Sequence, residues 1–200
     1  REQLPEITVL QVPERLCEYP KMLRENLGLF YNLSFTAEDR KKIEMYNQQV
    51  KRETIKKEFT SIEDYLASLE IKITIFEDDE SIIPRMSQMT QKTNQFNLTT
   101  RRYTEGDIQN FINDSNSDVY AFSVSDKFGD SGITGLSIVT SNGSTEMAEI
   151  DTLLMSCRVI GRNIEYVFMD YLIGKIEGKK VTNLKAKYIK TLKNEQVKEF

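Results

Sequence analysis

Asp151-Thr152-Leu153-Leu154-Met155-Ser156-Cys157-Arg158-Val159-Ile160-Gly161-Arg162-Asn163-Ile164 is the stretch on which the reading of the fold turns. Its first half continues a strand that starts near residue 146. Its second half is a turn feeding a helix on which Ile164, Val167, Phe168, Tyr171 and Leu172 recur at helical spacing to about Ile176. A strand delivered through a tight turn into a helix N-terminus leaves several backbone N–H groups unpaired and converging, where the helix dipole favours negative charge. Gly161 permits close backbone approach, and Arg158 and Arg162 add fixed positive charge. Arg158, Val159, Ile160, Gly161, Arg162 and Asn163 are therefore a candidate phosphate cradle. The alternative is an ordinary connection with one turn glycine and two surface arginines.

Outward from this stretch the elements are short on both sides. Upstream, Ile71, Ile73 and Ile75 alternate as a strand, and Ile82, Ile83, Met86 and Met89 make a helical stripe. Thr104 caps a second helix carrying Ile108, Phe111 and Ile112. Strands follow at 119–126, 133–140 and 146–155, joined by turns at Gly129-Asp130-Ser131-Gly132 and Ser141-Asn142-Gly143. Downstream of the helix, Val181 to Ile189 reads as a strand and the last residues as the start of a helix. The order is an antiparallel meander that becomes a β-α-β unit.

Residues 1–70 read differently: a short strand at 7–12 closed by Pro13, a helix from Tyr19 to Phe30, a long charged amphipathic helix capped by Thr36, and a short one from Ile62 to Leu69 capped by Thr60 or Ser61.

Composition narrows the chemistry. The chain has 200 residues, a formal net charge of -4, 39% hydrophobic residues and only 9 Gly and 4 Pro, which excludes collagen-like and largely disordered classes. No apolar run approaches a membrane span and no signal peptide opens the sequence, so a soluble cytoplasmic protein is expected. Two cysteines, Cys17 and Cys157, read as free thiols. Histidine is absent, which excludes His-based triads and His-containing zinc sites within this chain. Gly129-Asp130-Ser131-Gly132 spells a serine-protease sequence, yet without a histidine it is a hairpin turn. Glu77-Asp78-Asp79-Glu80 is acidic because it opens a helix rather than because it holds a metal.

The pattern Arg158-x-x-Gly161-x-Asn163, set between the fourth strand and third helix of this order, resembles the pyrophosphate loop of the GNAT acyltransferase fold, with Asn163 where Gly or Ala is usual. That resemblance implies an α/β (α+β) fold: a mixed, mostly antiparallel sheet flanked by helices. It further implies coenzyme A or phosphopantetheine held by the loop amides, a β-bulge on the preceding strand that exposes backbone to the pantetheine arm, and a supporting Asn past the fifth strand, matched by Asn194.

A narrower resemblance runs through Arg85, then Lys92-Thr93-Asn94-Gln95-Phe96-Asn97-Leu98-Thr99-Thr100-Arg101-Arg102-Tyr103, then Phe128-Gly129-Asp130-x-Gly132, then Asp151 to Arg162. These stretches look like the C-terminal half of FkbH-like proteins, which join a haloacid-dehalogenase-type (HAD) phosphatase domain to a GNAT-like domain. On that footing residues 1–70 are the tail of the HAD domain and a helical connector, and 71–200 a GNAT-like domain cut before its last strands. The HAD aspartates are absent, so Mg²⁺ and phosphatase chemistry belong to the HAD domain, not to this chain. The implied role is transfer of a glyceryl group from 1,3-bisphosphoglycerate to the phosphopantetheine thiol of an acyl carrier protein.

Cys157, immediately before the cradle and between the strand and two arginines, is the candidate acyl relay, since such surroundings favour the nucleophilic thiolate. A buried structural thiol is the other reading. Glu149 and Asp151 alternate toward one strand face and are the candidate bases, against a plain charged strand edge. Asn94, Gln95, Asn97, Thr99, Thr100 and Arg101 border the acceptor pocket in GNAT folds and suit a polyol, or else form an internally hydrogen-bonded loop. From Lys175 to Lys198 there are eight lysines against Glu177 and Glu195, a docking face for an acidic carrier or a solvated surface. No aromatic platform accompanies them, so nucleic acid is not an expected partner. Two further readings stay open: a docking module without catalysis, and a generic acetyl-coenzyme A-dependent N-acetyltransferase.

Overall fold

The computed structural model describes residues 10–30, 37–141, 147–179 and 181–200. The chain divides into two compact units, Arg1–Glu44 and Met45–Phe200. In the first, α1 (Tyr19–Glu25) starts with Pro20 in its first turn and ends where Asn26 donates back to the Met22 carbonyl. Leu27–Phe30 adds a 3-10 turn. Residues 7–9 of the expected strand and the cap at Thr36 lie outside the described residues, and residues 10–12 are not in a strand. α2 (Ala37–Lys56) begins in the first unit and continues into the second.

In the second unit, Ser61 caps α3 (Ile62–Ser68) by accepting from the Asp64 amide. β1 (Lys72–Glu77) leads through a 3-10 turn, capped by Asp79, into α4 (Ile83–Lys92). A two-residue strand, β2 (Phe96–Asn97), precedes α5 (Glu105–Asn113). There Thr104 and Asp107 make a reciprocal capping box. The meander is β3 (Ser117–Asp126), β4 (Gly129–Ser141) and β5 (Met147–Met155). Residues 142–143 of the second hairpin turn fall outside the described residues. α6 (Ile164–Gly178) and β6 (Asn183–Ala186) complete the β-α-β unit. The C-terminal helix pattern forms a 3-10 turn, Glu195–Glu199.

The sheet runs β1-β3-β4-β5-β2, all antiparallel, with β6 parallel to β5. This is the mixed, mostly antiparallel arrangement that the resemblance implied. Strand alternation sends Tyr120, Phe122 and Val124 to one face, against Ile164, Phe168, Leu172 and Ile176 of α6. Val119 and Ala121 go to the other, against Ile83, Met86, Met89 and Ile108 of α4 and α5. The result is a three-layer sandwich with a core on each side. Gly135 is required by packing rather than by a turn: the Phe122 ring lies 1.8 Å from where a Cβ would stand, and that ring packs at a tilt against Phe168, centroids 4.6 Å apart.

Candidate functional site

β5 changes character at Asp151. Ile138 of β4 opposes Thr152 and Val139 opposes Ile150, so Asp151 is an extra, bulged residue. Side-chain parity flips there: Ala148 and Ile150 pack toward α6 before the bulge, and Leu153 and Met155 do so after it. The bulge expected on this strand is therefore present.

Its backbone, however, is already taken. Among the described residues β5 pairs with β6 over Met147–Ile150, and beyond Ile150 the two separate. The segment from Phe96 to Thr99 lies along the edge so vacated. Phe96 and Asn97 pair with Met155 and Leu154, the Leu98 amide donates to Leu153 O at 2.9 Å, and Thr99 Oγ1 donates to Asp151 O at 3.0 Å. On the far side the Ile189 amide donates to Leu98 O at 2.9 Å, and Asn194 Nδ2 donates to Asn97 O at 2.9 Å. β6, expected to reach Ile189, stops at Ala186 because the following residues turn to this inserted segment instead.

The predicted polar row is thus largely internal. Asn97 and Asn194 are completely buried. Asn97 Nδ2 donates to Thr93 O and its Oδ1 accepts from the Thr100 amide. Asn194 Oδ1 accepts from the Thr191 amide and hydroxyl, and its Nδ2 also reaches Ile189 O. Asn94 accepts from Arg102. Thr100 sits at φ +56°, a turn fixed by its amide bond to Asn97. Gln95 is exposed. Arg101 pairs with Asp151.

Asp151 is buried and fully engaged: it also accepts from the Tyr103 hydroxyl at 2.5 Å and Thr152 Oγ1 at 3.0 Å. Burial raises the Tyr103 pKa, so this phenol stays a proton donor. Glu149 lies 3.7 Å from Lys185. Both candidate bases therefore face a cation.

Cys157 is exposed, the first residue of a 3-10 turn between β5 and α6, so the buried-thiol alternative does not describe it. Gly161 at φ +77° and Asn163 at φ +58° shape the turn. The first bond of α6 runs from the Val167 amide to Asn163 O, which leaves the amides before it directed at the turn. Arg158 is half-buried, bonding Ser156 Oγ at 3.2 Å and the Met45 sulfur at 3.4 Å. Arg162 points elsewhere. Its side chain is 7% exposed and donates to Asp126 Oδ2 at 3.2 Å and to the Arg158 carbonyl at 2.9 Å. Asp126 also holds Arg52 in a bidentate pair at 2.7 and 2.8 Å. Nothing in the sequence singled out this Arg52-Asp126-Arg162 cluster, which anchors the turn to the ends of α2 and β3.

The turn fits a phosphate group: open amides, a left-handed glycine and a nearby guanidinium. The β5 edge does not fit a pantetheine arm, because Asp151 O, Leu153 O and the Leu154–Met155 backbone are paired within the chain. Among the described residues no cluster of acidic or thiol side chains could hold a metal, and no helix is long and apolar enough to cross a membrane.

No family model matches the chain, and no curated protein does. Solved structures of acetyltransferases are similar in fold. A ribosomal-protein-alanine N-acetyltransferase from Brucella melitensis biovar Abortus 2308 aligns at 11% identity and TM-score 0.48, covering 64% of this chain and 86% of that one. A Mycobacterium tuberculosis protein in complex with CoA aligns at 11% identity and TM-score 0.43, covering 54% and 60%. An aminoglycoside acetyltransferase from an uncultured soil metagenomic sample aligns at 15% and 0.42, covering 60% and 78%.

Proposed function

We propose that this chain is a GNAT-like acyl-transfer domain of an FkbH-like enzyme, in which Cys157 carries a glyceryl group from 1,3-bisphosphoglycerate toward the phosphopantetheine thiol of an acyl carrier protein. The observation that carries this reading is the exposure of Cys157 at the end of β5, beside a turn suited to phosphate. The Cys157 sulfur, its proton lost to solvent, attacks the acyl carbon. The bond from that carbon to the phosphate oxygen breaks, phosphate leaves with the electron pair, and a thioester results. The carrier thiolate then attacks the same carbon and Cys157 leaves as thiolate. Hydrolysis of the second phosphate belongs to the HAD domain. Neither Glu149 nor Asp151 is assigned as base, since each is held by a cation; Asp151 instead fixes Arg101 and Tyr103 against the bulge.

Intact-mass measurement tests this. The full polypeptide incubated with 1,3-bisphosphoglycerate should gain one acyl group, retain it in Cys17→Ser and lose it in Cys157→Ser. Glyceryl transfer continuing at the parent rate in Cys157→Ser would overturn the relay.

The conformation of the turn also favours a second reading, a coenzyme A-dependent acetyltransferase. Coenzyme A would then raise the melting temperature. A shift with coenzyme A, together with no thioester, would replace the first reading by this one.

A further inference from the structure

Arg85 of α4 lies close to this turn although its sequence position, 72 residues before Cys157, gives no hint of it. Its Nε and Nη2 donate to the Ile133 carbonyl at 3.4 and 3.2 Å, and Nη1 donates to Gln88. The next residue, Thr134, accepts the Ser156 amide at 2.7 Å, and Ser156 Oγ in turn accepts Arg158 Nε. Arg85 and Arg158 are thus anchored at the two ends of one short hydrogen-bonded path, Ile133-Thr134 to Ser156. Between the anchors, the completely buried Thr134 hydroxyl has no partner among the described residues.

Neither arginine is paired with a carboxylate of the described residues. Among the described residues the ion pairs of this unit use Arg52, Arg101, Arg162 and lysines, never Arg85 or Arg158. Of the five N–H donors on each guanidinium, Arg85 leaves two and Arg158 three outside these bonds. Burial, and then the charge of Arg158, push the Arg85 pKa down, while burial does the same to Arg158. Two half-buried like charges anchored to one hydrogen-bonded path without a counterion are unfavourable unless an anion completes them.

We propose that Arg85 and Arg158 form a single oxyanion site next to Cys157, for a phosphate group of a small phosphorylated substrate. The site deepens the relay reading by naming what holds the donor, and it differs from the α6 amide turn in using a side chain of α4. A guanidinium on each side gives a phosphate its paired, charge-assisted bonds while the adjacent carbon faces Cys157.

Inorganic phosphate is the probe. In the full chain it should slow alkylation of Cys157 by iodoacetamide, with Cys17 replaced by Ser. Arg85→Gln should raise the phosphate concentration needed by about tenfold or more, and Arg85→Lys should restore most of the protection. Melting curves on each variant confirm folding; if Arg85→Gln does not fold, Arg85→Lys against Arg158→Lys provides the comparison. Equal protection in Arg85→Gln and wild type, or none at millimolar phosphate in wild type, would overturn the site. Pyrophosphate protecting while phosphate does not would assign the turn to the amides of α6 and also overturn it. The relay is judged separately: Arg85-dependent protection without a thioester retains the site and removes the relay.

Discussion

Replacing Asp126 with alanine should be among the most damaging single substitutions in the second unit. The carboxylate is 1% exposed and holds Arg52, 4% exposed, through two short parallel bonds, and Arg162, 7% exposed, through a third. It also accepts the Phe128 amide at 2.9 Å. Alanine leaves two buried guanidinium groups facing each other without an anion, which costs about 3–5 kcal/mol. For a unit of 156 residues, Met45 to Phe200, each kcal/mol moves Tm by about 2–4 °C, so a fall of roughly 6–20 °C is expected. Differential scanning calorimetry at pH 7 measures it. Adding Arg52→Met to Asp126→Ala should lower Tm by less than the sum of the single effects, because the second change removes one of the stranded charges. A fall under about 3 °C for Asp126→Ala, or strict additivity, would refute the reasoning. The pH dependence follows with a definite sign. Burial alone would raise the Asp126 pKa, but the hydrogen bonds and charges of Arg52 and Arg162 and the Phe128 amide outweigh it and leave it lowered. The unfolded chain, with a carboxyl near its ordinary value of about 3.9, then binds the proton more readily than the native one. The contribution is present above that value and lost as pH falls through the lowered native one. Asp126→Asn should flatten this acid limb.

Two further substitutions test the packing of the sheet and of the inserted segment. Gly135→Ala places a methyl 1.8 Å from the Phe122 ring and should cost about 1–3 kcal/mol in urea unfolding, with partial recovery in Gly135→Ala/Phe122→Leu; a neutral Gly135→Ala would contradict the close approach. Asn194→Ala strands the Asn97 and Ile189 carbonyls and should cost about 1–3 kcal/mol while speeding amide exchange at Leu98 and Ile189. Unchanged exchange there would mean the clasp does not hold the segment.

The longer elements were legible because each carries a local signature. The Thr104 cap and the stripe of Ile108, Phe111 and Ile112 announced α5, the turn after residue 126 marked off β3, and the apolar spacing after Asn163 announced α6. β2 was not, since two residues, one of them Asn, have no period to detect. Nor was the early end of β6, which depends on bonds from Ile189 and Asn194 to residues more than ninety positions earlier. Cys157 and the turn were found from the strand-turn-helix pattern, and their placement follows it. The side-chain partners were not. Arg162 carries the right charge for the turn, but its guanidinium is directed to Asp126 by a contact across 36 positions that no spacing rule encodes. Asn97 and Asn194 have the composition of ligand-binding residues, yet they satisfy backbone groups of a buried edge.

The inserted strand at Phe96–Thr99 converts ligand entry along β5 into a competition. Any arm that pairs with the backbone from Asp151 to Met155 must first displace the ladder of Phe96 and Asn97 with Met155 and Leu154, and with it four further bonds: Leu98 to Leu153, Thr99 to Asp151, Ile189 to Leu98 and Asn194 to Asn97. At about 1 kcal/mol net apiece, those four alone hold the open form to about one molecule in a thousand or fewer, and the apparent affinity of such an arm falls by at least that factor. A reactant that approaches Cys157 end-on, without using the edge, incurs none of this loss. The occupied edge therefore acts as a filter on the direction of approach, set by the route a ligand takes rather than by its chemical class.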